Sequence, residues 1–270
     1  MIGDESQRIP EKARRARGAG LNMAGRFEPY ARVAVDDGWD IAEETASLRT
    51  EVAIERPRSI IARNQSPDIP FDRSINPYRG CEHGCVYCYA RPSHSFLGLS
   101  PGLDFETRLT AKPDAPKVLA AELARRGYRP EPIAIGTNTD PYQPIEKRFG
   151  IMRAVLGVLR DWRHPVTVLT KGALIERDAD ILGAMGAEGL GAAGLSVTTL
   201  DRRLARALEP RAAAPERRLA AIRRLAEAGI PTRVLARSVL SISVSPAAST
   251  MSRQSGARAG VRPCFDASAK

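Results

Sequence analysis

The chain has 270 residues, 43% of them hydrophobic, and a formal net charge of +10. That length can bury a sizeable α/β core, and no apolar run reaches the ~20 residues of a membrane-spanning helix, so the sequence predicts a soluble chain. The opening residues, 1-MIGDESQRIPEKARRARG-18, carry charge but no apolar stretch of the secretory kind, which predicts a cytoplasmic chain with reduced thiols and no disulfide framework.

The charge is spread rather than concentrated. Residues 231–270 hold six Lys/Arg and one Asp, and the other 230 residues hold 35 Lys/Arg and 30 Asp/Glu, so each part contributes +5. The basic segment 11-EKARRARGAG-20 reads as a solvated arm, with phosphate contact as the alternative. No regular aromatic interleaving of a single-strand stacking platform accompanies it.

Residues 1–58 read as a flexible, basic lead-in. Residues 74–80 (SINPYRG) predict a short strand ending at Gly80, and 105–111 (FETRLTA) alternate as a strand would. Residues 114–127 have helical apolar spacing and a Gly stop. The run 132–140 (PIAIGTNTD) is a strand that breaks into a polar loop. Helix 151–162 and strand 165–172 follow, then helix 176–186 and strand 194–201. The segment 215–229 opens with Pro in its first turn and ends at Gly229, as a last helix, and 230–235 opens a sixth strand. Alternating strands and helices predict an α/β fold with a parallel sheet, as an open partial (β/α)6 barrel. Chemistry in such a fold gathers at the C-terminal ends of the strands. The loops predicted there contain Cys81, Cys85 and Cys88, then 137-TNTDPYQPIE-146, then Thr170, Lys171 and Gly172, then Thr198, Thr199 and Asp201.

The segment 81-CEHGCVYCYARPSH-94 holds three of the four cysteines and two of the three histidines. Three thiolates suit a zinc ion or an iron–sulfur cluster. A closed zinc site needs a fourth ligand, from His83 or His94; a four-iron cluster on three thiolates leaves one iron open. Three buried structural cysteines are the plain alternative. His83 and His94 read as loop residues rather than ligands, and His164 as structural.

The CxxxCxxC spacing after a first strand, with Tyr87 before the last cysteine, resembles the radical S-adenosylmethionine (SAM) enzymes. Three further stretches, 64–94, 136–146 and 209–231, are similar to the bacterial group related to spore photoproduct lyase, and 17-RGAGLNMAGRFEP-29 is similar to that group's lead-in. The resemblance implies a 4Fe–4S cluster on Cys81, Cys85 and Cys88. It implies SAM on the open iron, cleaved reductively to a 5′-deoxyadenosyl radical, and an external electron donor of flavodoxin or ferredoxin type. It further implies that Tyr87 packs near the adenine and that Thr137, Asn138, Thr139 and Asp140 line the cofactor or substrate pocket. Lys112 is expected to meet the cofactor carboxylate, and Glu209 and Arg211 to reach the same pocket. The substrate stays open: an unknown molecule, a DNA lesion as for a repair lyase, or, as an alternative class, a metal-bearing module that only binds nucleic acid.

The core is expected over 59–235. Residues 236–270 depart from the group's pattern: 231–270 hold eight serines, against nine in the first 230 residues, and 241–260 show neither helical nor strand periodicity. This Ser/Arg-rich tail predicts a disordered extension or a frameshifted, truncated product. Cys264, within it, matches no motif.

Overall fold

Short β-strands and helices whose apolar stripes pack on the sheet form the body of the computed structural model. It describes residues 9 and 14 and residues 16–27, 48–69 and 71–236. The main sheet has six strands in the order β2-β3-β6-β7-β8-β9. These are β2 (Ile61–Arg63), β3 (Arg73–Ile75), β6 (Ile133–Ile135), β7 (Val166–Thr170), β8 (Gly191–Ser196) and β9 (Thr232–Leu235). The last five are parallel, with Ile133 level with Val166 and Val168 level with Ala193, and β2 joins β3 antiparallel. The sheet is an open partial α/β barrel with β2 and β9 at its edges.

A second, three-stranded sheet has the order β1-β5-β4, from β1 (Glu51–Ile54), β4 (Tyr78–Arg79) and β5 (Arg108–Ala111). Its existence corrects two expectations. Residues 74–80 are not one strand: Pro77 lacks an amide donor, and the chain leaves the main sheet there to start β4 in the smaller one. Residues 105–111 do not supply a strand of the main sheet; their extended part pairs parallel with β1 and antiparallel with β4. Asp104–Thr107 form a helical turn, α1, in which the Thr107 hydroxyl donates to Leu103 O at 3.0 Å, and only 108–111 are extended. Phe105, Leu109 and Ala111 are buried as alternation predicts, but Glu106 is buried too, because the first part of the stretch is a helical turn. The sixth strand of the main sheet is β2.

The helices follow their apolar spacing. In the helix Ile151–Asp161 (α4; α2, Ala115–Leu123, and α3, Glu146–Phe149, precede it) the residues Ile151, Met152, Val155, Leu156 and Leu159 are buried. That stripe lies against the sheet core formed by Ile75, Ile133, Ile135, Val168 and Leu195. A 3-10 turn, Ala173–Asp178, runs into α5 (Ala179–Ala187), where one helix over 176–186 was expected. After α6 (Arg202–Leu208), whose N-cap Asp201 accepts from the amides of Arg203 and Leu204, α7 (Pro215–Glu227) returns to the sheet. Its buried stripe contains a charge, Arg218, between Pro215, Ala221 and Leu225.

Parts of the stretch expected to be a flexible lead-in are packed on this body: β1 pairs with β5, and Arg17 is 9% exposed. The 236–270 tail, apart from residue 236, and Cys264 lie outside the described residues. No helix among the described residues is long and apolar enough to cross a membrane.

Candidate active site

The cysteine loop leaves β4 and is held from both sides. Fully buried Gln143 accepts from the Glu82 amide at 2.9 Å and donates to Gly80 O at 3.1 Å, and the Cys81 amide donates to Phe105 O at 2.8 Å. Arg91 donates to Cys85 O through Nε at 3.2 Å and Nη2 at 2.9 Å. Cys81 and Cys85 are buried and Cys88 is partly exposed, all three as free thiols. Burial pushes the Cys81 thiol well up, and it pushes Cys85 up to about 12 against the opposing pull of Lys171. Among the described residues, no three His, Cys, Asp or Glu side chains lie close enough to hold a single metal ion.

The loops after β6, β7 and β8 meet this one. Asp140, after β6, accepts from Thr170 Oγ1 at 2.6 Å, from the Lys171 amide at 2.7 Å and from the Tyr142 amide at 2.9 Å. His83, buried within the cysteine loop, places Nδ1 3.3 Å from Asp140 Oδ2, at ion-pair distance but without the alignment of a hydrogen bond. Burial alone would raise the Asp140 carboxyl; His83, Thr170 and the Lys171 amide hold it well below the usual carboxylate range. Lys171 Nζ lies over the Tyr87 ring, 5.8 Å from its centroid. Burial would lower its ammonium, but Cys85, Tyr87, Asp140 and Glu209 outweigh that and hold it charged.

Tyr87 turns its hydroxyl toward the loop after β8. It donates to the Glu209 carboxylate and lies 3.0 Å from Thr198 Oγ1, which also donates to Glu209 at 2.7 Å. Arg218 closes the network with an ion pair to Glu209. Glu209 is 2% exposed; burial pushes it up, yet Arg218, Tyr87 and Thr198 hold it below the ordinary value.

Other expected residues sit at the border of this cluster. Thr137 O accepts from the Tyr89 hydroxyl. The Asn138 and Thr139 amides donate to Asn76 Oδ1, at 3.1 Å and 3.3 Å, and Thr139 Oγ1 donates to Tyr78 O at 2.9 Å, so this stretch also has the turn role its composition suggests. Arg211 faces the cysteine loop itself, through Glu82 at 3.2 Å and a backbone bond to His83 O. Lys112 has different partners, Asn76 O at 3.3 Å and Glu55 at 3.9 Å. The lysine beside the cysteines is Lys171, and its signal was positional: it follows a β-branched strand in the loop layer. His94 packs edge-on against Phe105, which itself packs with Cys81 and Cys88, and its Nε2 lies 2.9 Å from Arg108 O; His164 bonds Tyr128 at 2.8 Å. Sequence reasoning missed Gln143, Arg91 and Arg218 because nothing in a local window distinguishes a buried polar brace from a solvated residue.

A loop with three free thiols at the end of β4, set beside loops of the open parallel sheet that carry Lys171, Asp140 and Glu209, fits a cluster-binding α/β barrel. The sequence matches the Radical SAM superfamily over residues 75–245, and the chain belongs to that superfamily. It is 38% identical over 182 residues to the uncharacterized protein Rv2578c of Mycobacterium tuberculosis strain H37Rv, covering 66% of this chain and 54% of that protein. It is 29% identical over 156 residues to the uncharacterized protein MJ0683 of Methanocaldococcus jannaschii, covering 58% and 56%. The chain thus spans about half the length of the curated relatives it matches. A solved structure of spore photoproduct lyase complexed with dinucleoside spore photoproduct superposes with a TM-score of 0.51 at 17% identity, over 70% of this chain and 52% of that one. At that identity the likeness shows the fold.

Proposed function

We propose that this chain carries a 4Fe–4S cluster on Cys81, Cys85 and Cys88, binds SAM at the uncommitted iron, and cleaves it reductively in the cytoplasm with electrons from a flavodoxin- or ferredoxin-type donor. The observation that carries the reading is one loop holding three free thiols, with the half-buried Lys171 and the Tyr87 ring beside it. The donor set fits the cluster: soft sulfur favours iron–sulfur, and each thiolate needs to reach only its own iron rather than one shared point. The bound group supplies the one-electron cleavage of the SAM sulfonium bond that releases a 5′-deoxyadenosyl radical.

The protein's part is binding, orientation and exclusion of water. Arg91 and Gln143 fix the backbone on which the thiolates ride. Lys171, rather than Lys112, offsets thiolate charge and pairs with the SAM carboxylate. Asp140 holds the Lys171 backbone and His83 in place. Glu209 and Thr198 fix the Tyr87 ring as a wall for the adenine. Thr137, Asn138 and Thr139 form the pocket's rim, and Arg211 steadies the loop through Glu82. Anaerobic reconstitution with iron and sulfide, reduction, and addition of SAM tests the reading: it predicts a brown protein that forms 5′-deoxyadenosine. A colourless protein binding one zinc would replace it with a structural metal module.

A further inference from the structure

The segment 16–22, part of the expected lead-in, is tied to the cysteine loop by two separate routes. On the first, the fully buried Glu106 carboxylate accepts from the Gly18 amide at 2.9 Å and the Ala19 amide at 2.8 Å, and from Arg91 at 2.6 Å. The same Arg91 Nη2 donates to Cys85 O. On the second, Arg17 donates to Glu106 O at 2.8 Å, Leu48 O at 2.9 Å and Thr50 Oγ1 at 2.9 Å. Thr50 in turn donates to Glu82, which also pairs with Arg211.

The backbones themselves touch. Gly84, between Cys81 and Cys85, has φ +66°, and a methyl group on it would meet Glu106 Oε2 at 2.8 Å. A methyl group on Gly18 would overlap the Gly84 carbonyl. Two glycines therefore let the segment lie directly on the loop, at a contact no side chain could enter. Beyond it, the Asn22 amide side chain and the Asp104 amide and carboxylate bond reciprocally, at 3.1 Å and 3.2 Å, and the Leu103 amide donates to Leu21 O. A buried arginine with three backbone and side-chain acceptors is costly to desolvate, and a solvated arm would have no use for one.

We propose that residues 16–22 are a clasp that holds the cysteine loop in its cluster-binding shape, with Arg17 as a positioning residue. The proposal rests on the cluster reading above. It predicts that loosening the clasp speeds loss of iron without loss of the fold.

The test uses the full chain, reconstituted anaerobically, as wild type, Arg17→Ala and Gly18→Val. The visible absorbance of the cluster is followed during challenge with a ferrous chelator, and the thermal unfolding midpoint of each apoprotein is measured in parallel. Loosening the loop predicts iron release about tenfold faster or more in both variants, through the lost Arg17 bonds in one and the displaced Gly18–Gly84 contact in the other. Both apoproteins should remain folded, at midpoints lowered by the lost contacts. Release within about twofold of wild type in both variants overturns the clasp, as does equally faster release from Leu156→Ala, a core variant on α4 that lowers the midpoint too, which marks a merely structural role. If Arg17→Ala fails to fold, Gly18→Val decides, because it keeps Arg17 and acts at the contact with Gly84. A wild-type chain that takes up no iron overturns the cluster reading itself, a result distinct from equal release rates.

Discussion

Replacing Arg218 with Met should cost this protein a large share of its stability, although the residue is remote in sequence from every cysteine. Arg218 is 1% exposed and donates to the Glu209 carboxylate, to Ser196 O at 2.9 Å and to Ala213 O at 2.7 Å. Methionine fills most of the aliphatic volume but leaves Glu209, itself 2% exposed, with Tyr87 and Thr198 alone as donors. Breaking a buried ion pair by removing one partner costs about 3–5 kcal/mol, because the remaining charge stays desolvated. Against a total stability of about 5–15 kcal/mol, that is roughly a fifth of it or more. Urea denaturation of the reduced apoprotein, followed by far-UV circular dichroism, measures it. Glu209→Gln in the Arg218→Met background removes the stranded charge, so the double variant should be more stable than the sum of the two single losses by about 1 kcal/mol or more. An Arg218→Met cost under about 1 kcal/mol, or strict additivity, refutes the reasoning.

Three further outcomes are expected. Glu209 is held below its ordinary value despite burial, so its contribution is complete above the unfolded carboxyl pKa, about 4.3, and is lost as pH falls through the folded value; Glu146, raised by burial, works the other way. Glu209→Gln should therefore flatten the loss of apoprotein stability between about pH 5 and 3, and an unchanged slope contradicts the assignment. Leu156→Ala, at a fully buried position on α4, should cost about 2–5 kcal/mol in the same urea assay, and a loss below 1 would mean the helix does not pack as described. Lys171→Met should weaken SAM binding, measured per bound cluster by equilibrium dialysis, about tenfold or more; equal affinity removes Lys171 from the cofactor's carboxylate.

Much of the architecture was legible because periodicity is a local property. The stripe Ile151, Val155 and Leu159 could only be a helix face, and the β-branched run 166–170 could only be a buried strand. The cysteine loop was legible because its CxxxCxxC spacing is a local pattern, and Lys171 and Glu209 prove to be its neighbours. What failed was nonlocal. Nothing in FETRLTA shows that its first three residues belong to a helical turn begun at Asp104, or that Glu106 is the acceptor for two lead-in amides and Arg91. The strand 194–201 was displaced from the observed 191–196 because its Gly/Ala-rich start has little intrinsic strand preference and is recruited by pairing with β7. Lys112 and Lys171 look alike in sequence, each just beyond a strand; only the sheet to which that strand belongs separates them.

The most direct test of the central claim is a count of iron and acid-labile sulfide per chain after anaerobic reconstitution, in the wild type and in Cys81→Ser, Cys85→Ser and Cys88→Ser. The account predicts about four of each in the wild type and a severe loss in every single variant, with far-UV circular dichroism unchanged. One tightly held zinc and no sulfide, or full iron in any of the three variants, would contradict it.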